Sequence, residues 1–268
     1  MLYLIATPIG HLGDITGRAL QTLKDCDAIL CEDTRRSSIL LQKYEIKKPL
    51  FSYHQFKEKK SLSTIIRKLE EGQNLALISD AGTPCINDPG QILVQACIEK
   101  SIPFTALPGP CSVIQALLLS GFDTTRFQFI GFLPRNAEES LRLTLCYPGT
   151  TVCFDSPERL IDTLSLIDKL DPERKIGVAR EMTKTFEECR RGVAKELLEH
   201  FKKQPPRGEI VLVIAPGIAP ETELPLEELI DMLRQLHGFS LKDAIKMAAK
   251  IKKVPKTSIY KSAHSFKN

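Results

Sequence analysis

The sequence predicts an α/β protein built as two α/β domains followed by a short helical extension. Three observations carry this prediction. Apolar runs of strand length alternate with amphipathic stretches of helical period through the first half. Such alternation implies β-α-β units and a mainly parallel sheet covered on both faces. A second, shorter cycle follows Gly121–Arg126, and beyond Ala215 the composition turns proline-rich and then lysine-rich. The 268 residues also exceed the roughly 100–200 of one ordinary domain.

In chain order, Leu2–Ala6, Ala28–Cys31, Leu50–Tyr53, Leu75–Ser79 and Ile102–Leu107 predict strands, with helices at Ile15–Leu23, Ser38–Tyr44, Leu62–Leu69 and Ile92–Ile98 between them. The apolar stretch Val113–Leu119 predicts a helix closing a first domain, 1–121. Phe127–Leu133, Thr151–Phe154, Lys175–Arg180 and Ile210–Ile214 predict the strands of a second domain, 122–222, with helices near Leu160–Leu170 and Ala194–Phe201. A proline-rich linker from Pro216 to Pro225 leads into a basic helical region, 223–268. There Ser240 reads as a helix N-cap with Asp243 three residues on, and Leu241, Ala244, Ile245, Ala248 and Ala249 form one apolar stripe. Pro255 interrupts, and Thr257–Ala263 predicts a second short helix.

Composition narrows the function classes. With 43% hydrophobic and 26% charged residues the chain can bury a sizeable core. No run approaches the ~18–20 uninterrupted apolar residues that span a bilayer. The opening MLYLIATPIG carries no basic leader and runs straight into a strand pattern, so a cytoplasmic protein with no membrane partner is expected. The eight cysteines form no C-x-x-C pair and no zinc-like spacing with histidine, so they read as small core side chains and no metal is expected. Charge is uneven. Residues 240–268 hold eight lysines against Asp243, a local +7, so the other 239 residues carry −3 of the total +4. A basic tail on a mildly acidic body points to a polyanionic partner, although a solvated lysine face reads the same way.

In open α/β sheets ligands sit beyond the carboxyl ends of the strands. Four such loops stand out: Thr7-Pro8-Ile9-Gly10; Asp80-Ala81-Gly82-Thr83-Pro84, continuing to Asn87-Asp88-Pro89-Gly90; Pro108-Gly109-Pro110-Cys111-Ser112; and Val178 to Lys184. Glycine lets backbone approach a ligand closely and proline fixes it in advance. G-x-G-x-x-G and G-x-x-x-x-G-K-[ST] are both missing, which argues against dinucleotides and nucleoside triphosphates.

The strings Ala6-Thr7-Pro8-Ile9-Gly10-His11-Leu12-Gly13-Asp14-Ile15-Thr16, Glu32-Asp33-Thr34-Arg35 and Ser79-Asp80-Ala81-Gly82-Thr83-Pro84 resemble the tetrapyrrole-methylase superfamily. Within it the chain is similar to the cytidine 2′-O-methyltransferases of small-subunit ribosomal RNA. Leu107 to Pro110, Gly131 to Pro134, Arg180 to Lys184 and Gly208 to Val213 extend the likeness over essentially the whole chain. It implies two α/β domains with S-adenosylmethionine in the cleft between them, a homodimer, and a cytidine of small-subunit rRNA, within the assembled 30S subunit, as acceptor. His11, Met182 and Arg190-Arg191-Gly192 depart mildly from the family pattern, which commonly has asparagine, leucine and His-Arg-Gly there.

By resemblance, Pro8, Asp80, Gly82, Thr83, Cys111, Ser112, Phe154, Ala179, Glu181 and Gly208 line the cofactor site. Asp80 is the first choice, as an acceptor beside backbone that can come close. Ser112 also reads as a plain helix N-cap and Phe154 as core. A ribose hydroxyl needs a general base, for which Glu181, Lys184, Asp33 and Asp80 are candidates; a lysine serves only if its pKa is depressed. Arg35 and Arg36 suit an RNA phosphate or a surface ion pair. Two rival functions remain at this stage: a small-molecule methyltransferase of the same fold, and a non-catalytic RNA-binding assembly protein.

Overall fold

A computed structural model describes residues 1–54, 58–134, 137–216, 224–237, 240–252 and 254–255. The predicted helix at Thr257–Ala263 lies outside the described residues. The strands are β1 (Leu2–Ile5), β2 (Ala28–Cys31), β3 (Leu50–Ser52), β4 (Leu75–Ile78), β5 (Phe104–Leu107), β6 (Phe127–Phe132), β7 (Thr150–Asp155), β8 (Lys175–Arg180), β9 (Glu188–Val193) and β10 (Ile210–Ile214). The helices are α1 (Gly17–Asp25), α2 (Thr34–Lys43), α3 (Glu58–Glu70), α4 (Gln91–Glu99), α5 (Ser112–Ser120), α6 (Ala137–Cys146), α7 (Leu160–Leu170), α8 (Ala194–Lys203), α9 (Leu226–His237) and α10 (Leu241–Ile251).

The first sheet has the order β3-β2-β4-β1-β5 and is parallel throughout. Side chains alternate across a strand, so one sequence covers two faces. Ile5, Ile29, Cys31, Ala76 and Ile78 pack under α1 and α2, while Leu2, Ala28, Leu30, Leu75 and Leu77 pack under α3 and α4. Because the strands run the same way, their carboxyl ends share one edge.

The second sheet, β6-β7-β10-β8-β9, is mixed: only β6 and β7 run parallel. Cys153, Ile176, Val178, Ile210, Leu212 and Ile214 pack against α6, α7 and α8. The opposite face, with Val152, Ala179, Val211 and Val213, is covered by Val113, Ala116 and Leu117 of α5. The last helix of the first cycle thus serves the second sheet. Each of its buried Val or Leu side chains contributes about 1.5–3 kcal/mol to holding the two sheets together.

Two elements carry no clear sequence signal. The α6 stripe is short, with Leu141 and Leu145 its buried apolar residues. β9 is a half-exposed edge strand containing Arg190 and Arg191, the charged composition that protects an edge from further pairing. In the extension, Ser240 caps α10 through the Asp243 N–H, and α9 and α10 pack apolar stripe to apolar stripe. Among the described residues no helix is long and apolar enough to cross a membrane.

Candidate active site

The carboxyl edge of the first sheet faces the second sheet across a cavity of about 530 Å³. The loops after β1, β2, β4 and β5 form one wall. The ends of β6, β7 and β8 form the other, together with the start of β10, which enters from the same side because it runs antiparallel to β7 and β8. The walls touch on both flanks. The His11 N–H donates to Thr183 Oγ1 at 2.9 Å, and Gly131 lies close enough to Asn87 that a β-carbon there would sit 3.1 Å from its Oδ1. Within the first wall, Thr7 and Gly82 exchange backbone hydrogen bonds at 2.8 and 3.0 Å, and Gly82 takes the left-handed φ of 79° that this bridge requires. Thr83 Oγ1 ties this loop to the next by donating to the Pro110 carbonyl at 2.9 Å.

Strain concentrates at these rims. Of the six non-glycine residues with positive φ among those described, four lie in rim loops: Cys85, Asn87, Glu181 and Thr183. Such conformations cost about 1–3 kcal/mol and persist where surrounding structure imposes them.

The first wall is rich in carboxylates. Asp80 Oδ1 accepts the Asp33 N–H at 3.1 Å, and Arg36 Nη1 approaches Oδ2 at 3.5 Å. Asp33 caps α2 and grips Arg35 through both oxygens; these hydrogen bonds hold its pKa at about 2. Asp88 also lines the cavity. Burial, with the nearby charges of Glu32 and Asp80 adding to it, pushes its pKa up to about 6.

The second wall is charge-balanced. Lys184 Nζ bonds both Glu181 Oε1 and Glu209 Oε2 at 2.9 Å, and the Glu209 N–H donates to Glu181 Oε1 at 3.1 Å. Burial opposes charge on both partners, yet the hydrogen bonds prevail: the Glu181 pKa falls and the Lys184 pKa rises. The depressed pKa that a lysine base needs is therefore not met, and Glu181 is a weakened base. Gly208, at φ 81°, leaves the space into which the Glu181 carboxylate projects. Phe154 stacks edge-on against Phe129 and Phe132 at 4.9 and 5.4 Å, giving this wall an apolar face.

Residues 1–198 match the family model Tetrapyrrole (Corrin/Porphyrin) Methylases. The chain belongs to this methylase family. A ribosomal RNA small subunit methyltransferase I from Escherichia coli O157:H7 is 41% identical to the methylase over 98% of this chain and 94% of its own length. A protein of the same name from Thermotoga maritima is 45% identical, over 80% of this chain and 97% of its own. Among solved structures, cobalt precorrin-4 methyltransferase matches with a TM-score of 0.61 at 17% identity, covering 80% of this chain and 94% of that one. A uroporphyrin-III C-methyltransferase from Thermus thermophilus, complexed with S-adenosylhomocysteine, matches at 0.57 and 18%, covering 80% and 96%. At those identities the likeness is one of fold. The chain is a methyltransferase of the family's two-domain α/β architecture.

Of the residues singled out in the methylase sequence, Asp80, Thr83, Cys111, Ser112, Phe154 and Gly208 line the cavity. Ser112 is the first residue of α5, not its cap; Cys111 holds that position, with its N–H on Gln115 Oε1 at 3.0 Å. Pro8, Gly82 and Ala179 are buried behind the lining, Ala179 beneath α5. Glu181 and Lys184 reach the lining through Glu209, and Asp33 and Arg35 stand beside it, at the start of α2. Sequence reasoning passed over Glu209 and Asp88 as site residues. The signal for Asp88 was present, since it is an acid held in a Pro/Gly turn following a strand.

Proposed function

We propose that this methyltransferase places its methyl group on the 2′-oxygen of a cytidine ribose in small-subunit ribosomal RNA, drawing it from S-adenosylmethionine bound between the two walls. The observation that carries the reading is the shared cavity. Its volume falls within the roughly 300–1,000 Å³ of small-molecule sites. It offers what a nucleoside joined to an amino acid needs: apolar surface from Phe154, Ile9 and Met182, carboxylate acceptors at Asp80 and Glu209, and close backbone at Gly208. In this reading Asp80 accepts from ribose hydroxyls or the amino group, while Thr83, Cys111 and Ser112 line the same end. Pro8, Gly82 and Ala179 shape the lining from behind.

The bound cofactor supplies an electrophilic methyl on a positively charged sulfur. The protein's own task is positioning, exclusion of water and handling of one proton. Lys184 stays a cation and holds Glu181 and Glu209 in place. Arg35 and Arg36, at the start of α2, meet the RNA backbone. The reading keeps three units, 1–121, 122–222 and 223–268, with the lysine-rich last unit gripping RNA. It also takes a homodimer in the cytoplasm as the working form and the assembled 30S subunit as substrate. The test is incubation with labelled S-adenosylmethionine and small subunits from cells lacking the enzyme. Label recovered as 2′-O-methylcytidine supports the reading. Label confined to small molecules, or cofactor binding without transfer, overturns it.

A further inference from the structure

The reaction just proposed needs a group to take the hydroxyl proton, and most acids of the walls are committed elsewhere; Glu32, on the loop after β2, and Asp88 are the lining acids for which no hydrogen bond or ion pair is found among the described residues. Asp33 is committed to Arg35, and Asp80 to the Asp33 N–H and Arg36. Glu181 is committed to Lys184 and the Glu209 N–H. Asp155 has an exposure of only 3%, accepts the Ser156 N–H and lies 3.9 Å from Arg159. Asp88 differs from all of these. It lines the cavity, and no hydrogen-bond donor or cation among the described residues reaches its carboxyl.

We propose that Asp88 is the general base of the methyl transfer, resting on the reading of the cavity given above. The backbone holds it to this task. Asn87 before it has a φ of 63°, Pro89 after it is fixed by its ring, and Gly90 at φ 135° packs where a β-carbon would strike Cys85 and Leu77. The groups facing Asp88 are Glu32 from the end of β2 and Asp80 from the end of β4, with Arg36 of α2 directed to Asp80. Among the described residues no three His, Cys, Asp or Glu side chains converge as a metal site.

The ribose oxygen forms a bond to the methyl carbon while the carbon–sulfur bond breaks and its electron pair returns to sulfur. The O–H bond breaks and the proton passes to an Asp88 oxygen. The neutral carboxyl then releases that proton to solvent. A carboxylate titrating near 6 is ionised at neutral pH yet keeps more basicity than an ordinary aspartate, the compromise expected of a base.

The test compares wild-type enzyme, Asp88→Asn and Asp88→Glu in single-turnover methylation of unmethylated small subunits between pH 5 and 8. Cofactor affinity by calorimetry and melting temperature are measured alongside. Wild type is expected to show a rate rising with pH to a plateau, with a midpoint near 6. Asp88→Asn should lose about 10²–10⁴-fold in rate and lose the acid limb, with cofactor affinity kept within about threefold and an undiminished melting temperature. Asp88→Glu should recover part of the rate. In the cofactor-free enzyme, the carboxyl carbon of Asp88 should titrate near 6 by NMR. Retention of the acid limb in Asp88→Asn, a rate loss under about tenfold, a rate loss matched by lost cofactor affinity, or a carboxyl titrating near 4 each overturns the assignment. A wild-type enzyme that makes no 2′-O-methylcytidine overturns the parent reading instead, and the assignment falls with it.

Discussion

The two walls of the cavity are built from similar ingredients to different ends. The first gathers Glu32, Asp80 and Asp88 with Arg36 as the cation directed at the cluster. The second pairs its acids: Lys184 sits between Glu181 and Glu209, and Arg159 lies near Asp155. Unbalanced charge costs stability but keeps a group reactive, and balanced charge holds geometry but removes reactivity. On the proposed reading, the difference assigns proton chemistry to the first wall and positioning to the second. Topology supports the division. The parallel first sheet delivers several loops to one edge, whereas the mixed second sheet contributes strand ends braced by α5 and its own hydrogen-bonded rim.

The sharpest way to break this comparison is the Asp88→Asn rate measurement already described. The same variant has a thermodynamic counterpart. Because the native pKa of Asp88 is raised, its contribution to stability is greatest at low pH and is lost as pH rises through about 6. An amide in place of the carboxylate carries no charge, so Asp88→Asn should be more stable than wild type above pH 6, by about 1 kcal/mol in denaturant melts once solvent screening of the half-exposed group is allowed for. Equal or lower stability at pH 7.5 would mean that the carboxylate is compensated.

Arg174 tests what balanced charge is worth in the second unit. With an exposure of 4%, it donates to the Ala215 and Leu145 carbonyls and pairs with Asp171. Arg174→Ala strands those acceptors and should cost about 3 kcal/mol in chemical denaturation. Gly208→Ala should cost about 1–3 kcal/mol, because its β-carbon meets the Glu181 carboxylate at φ 81°. Gly17→Ala, with open space around it, should be neutral.

Asp80→Ala should weaken S-adenosylmethionine binding about tenfold by calorimetry, some 1.4 kcal/mol. Lys184→Met should cost less in stability, about 1 kcal/mol or under given the partial exposure of the pair. It should also raise the Glu181 pKa. The sign is fixed by the depressed native pKa: the pair stabilises the fold above the ordinary glutamate range, and that stability is lost as pH falls through it. Deleting 240–268 should leave cofactor affinity unchanged and flatten the salt dependence of RNA binding. The Thermotoga relative, covered almost in full by 80% of this chain, suits an appended rather than integral role for a fifth of the sequence.

Much of this was legible in the sequence. Ala28–Cys31, Lys175–Arg180, Ile210–Ile214 and Leu160–Leu170 fall where their apolar periods place them, because buried elements must declare themselves in apolar residues. β9 escaped notice because an edge strand buries little. The antiparallel β10 was not foreseen, since an apolar run carries no sign of its direction. The rim loops declared themselves through glycine and proline. What remained hidden was which acids the fold brings together without a partner. Asp33 and Asp80 stood beside arginines in the chain or across the fold, and Asp88 resembled an ordinary turn residue until Glu32 and Asp80, far off in sequence, were brought to face it.

The central claim is that both walls serve one methyl donor. A crystal structure with S-adenosylhomocysteine bound tests it most directly. The account predicts the ligand between the Asp80 loop and the Gly208–Glu209 turn, touching both walls. Ligand density anywhere else on the molecule would contradict it.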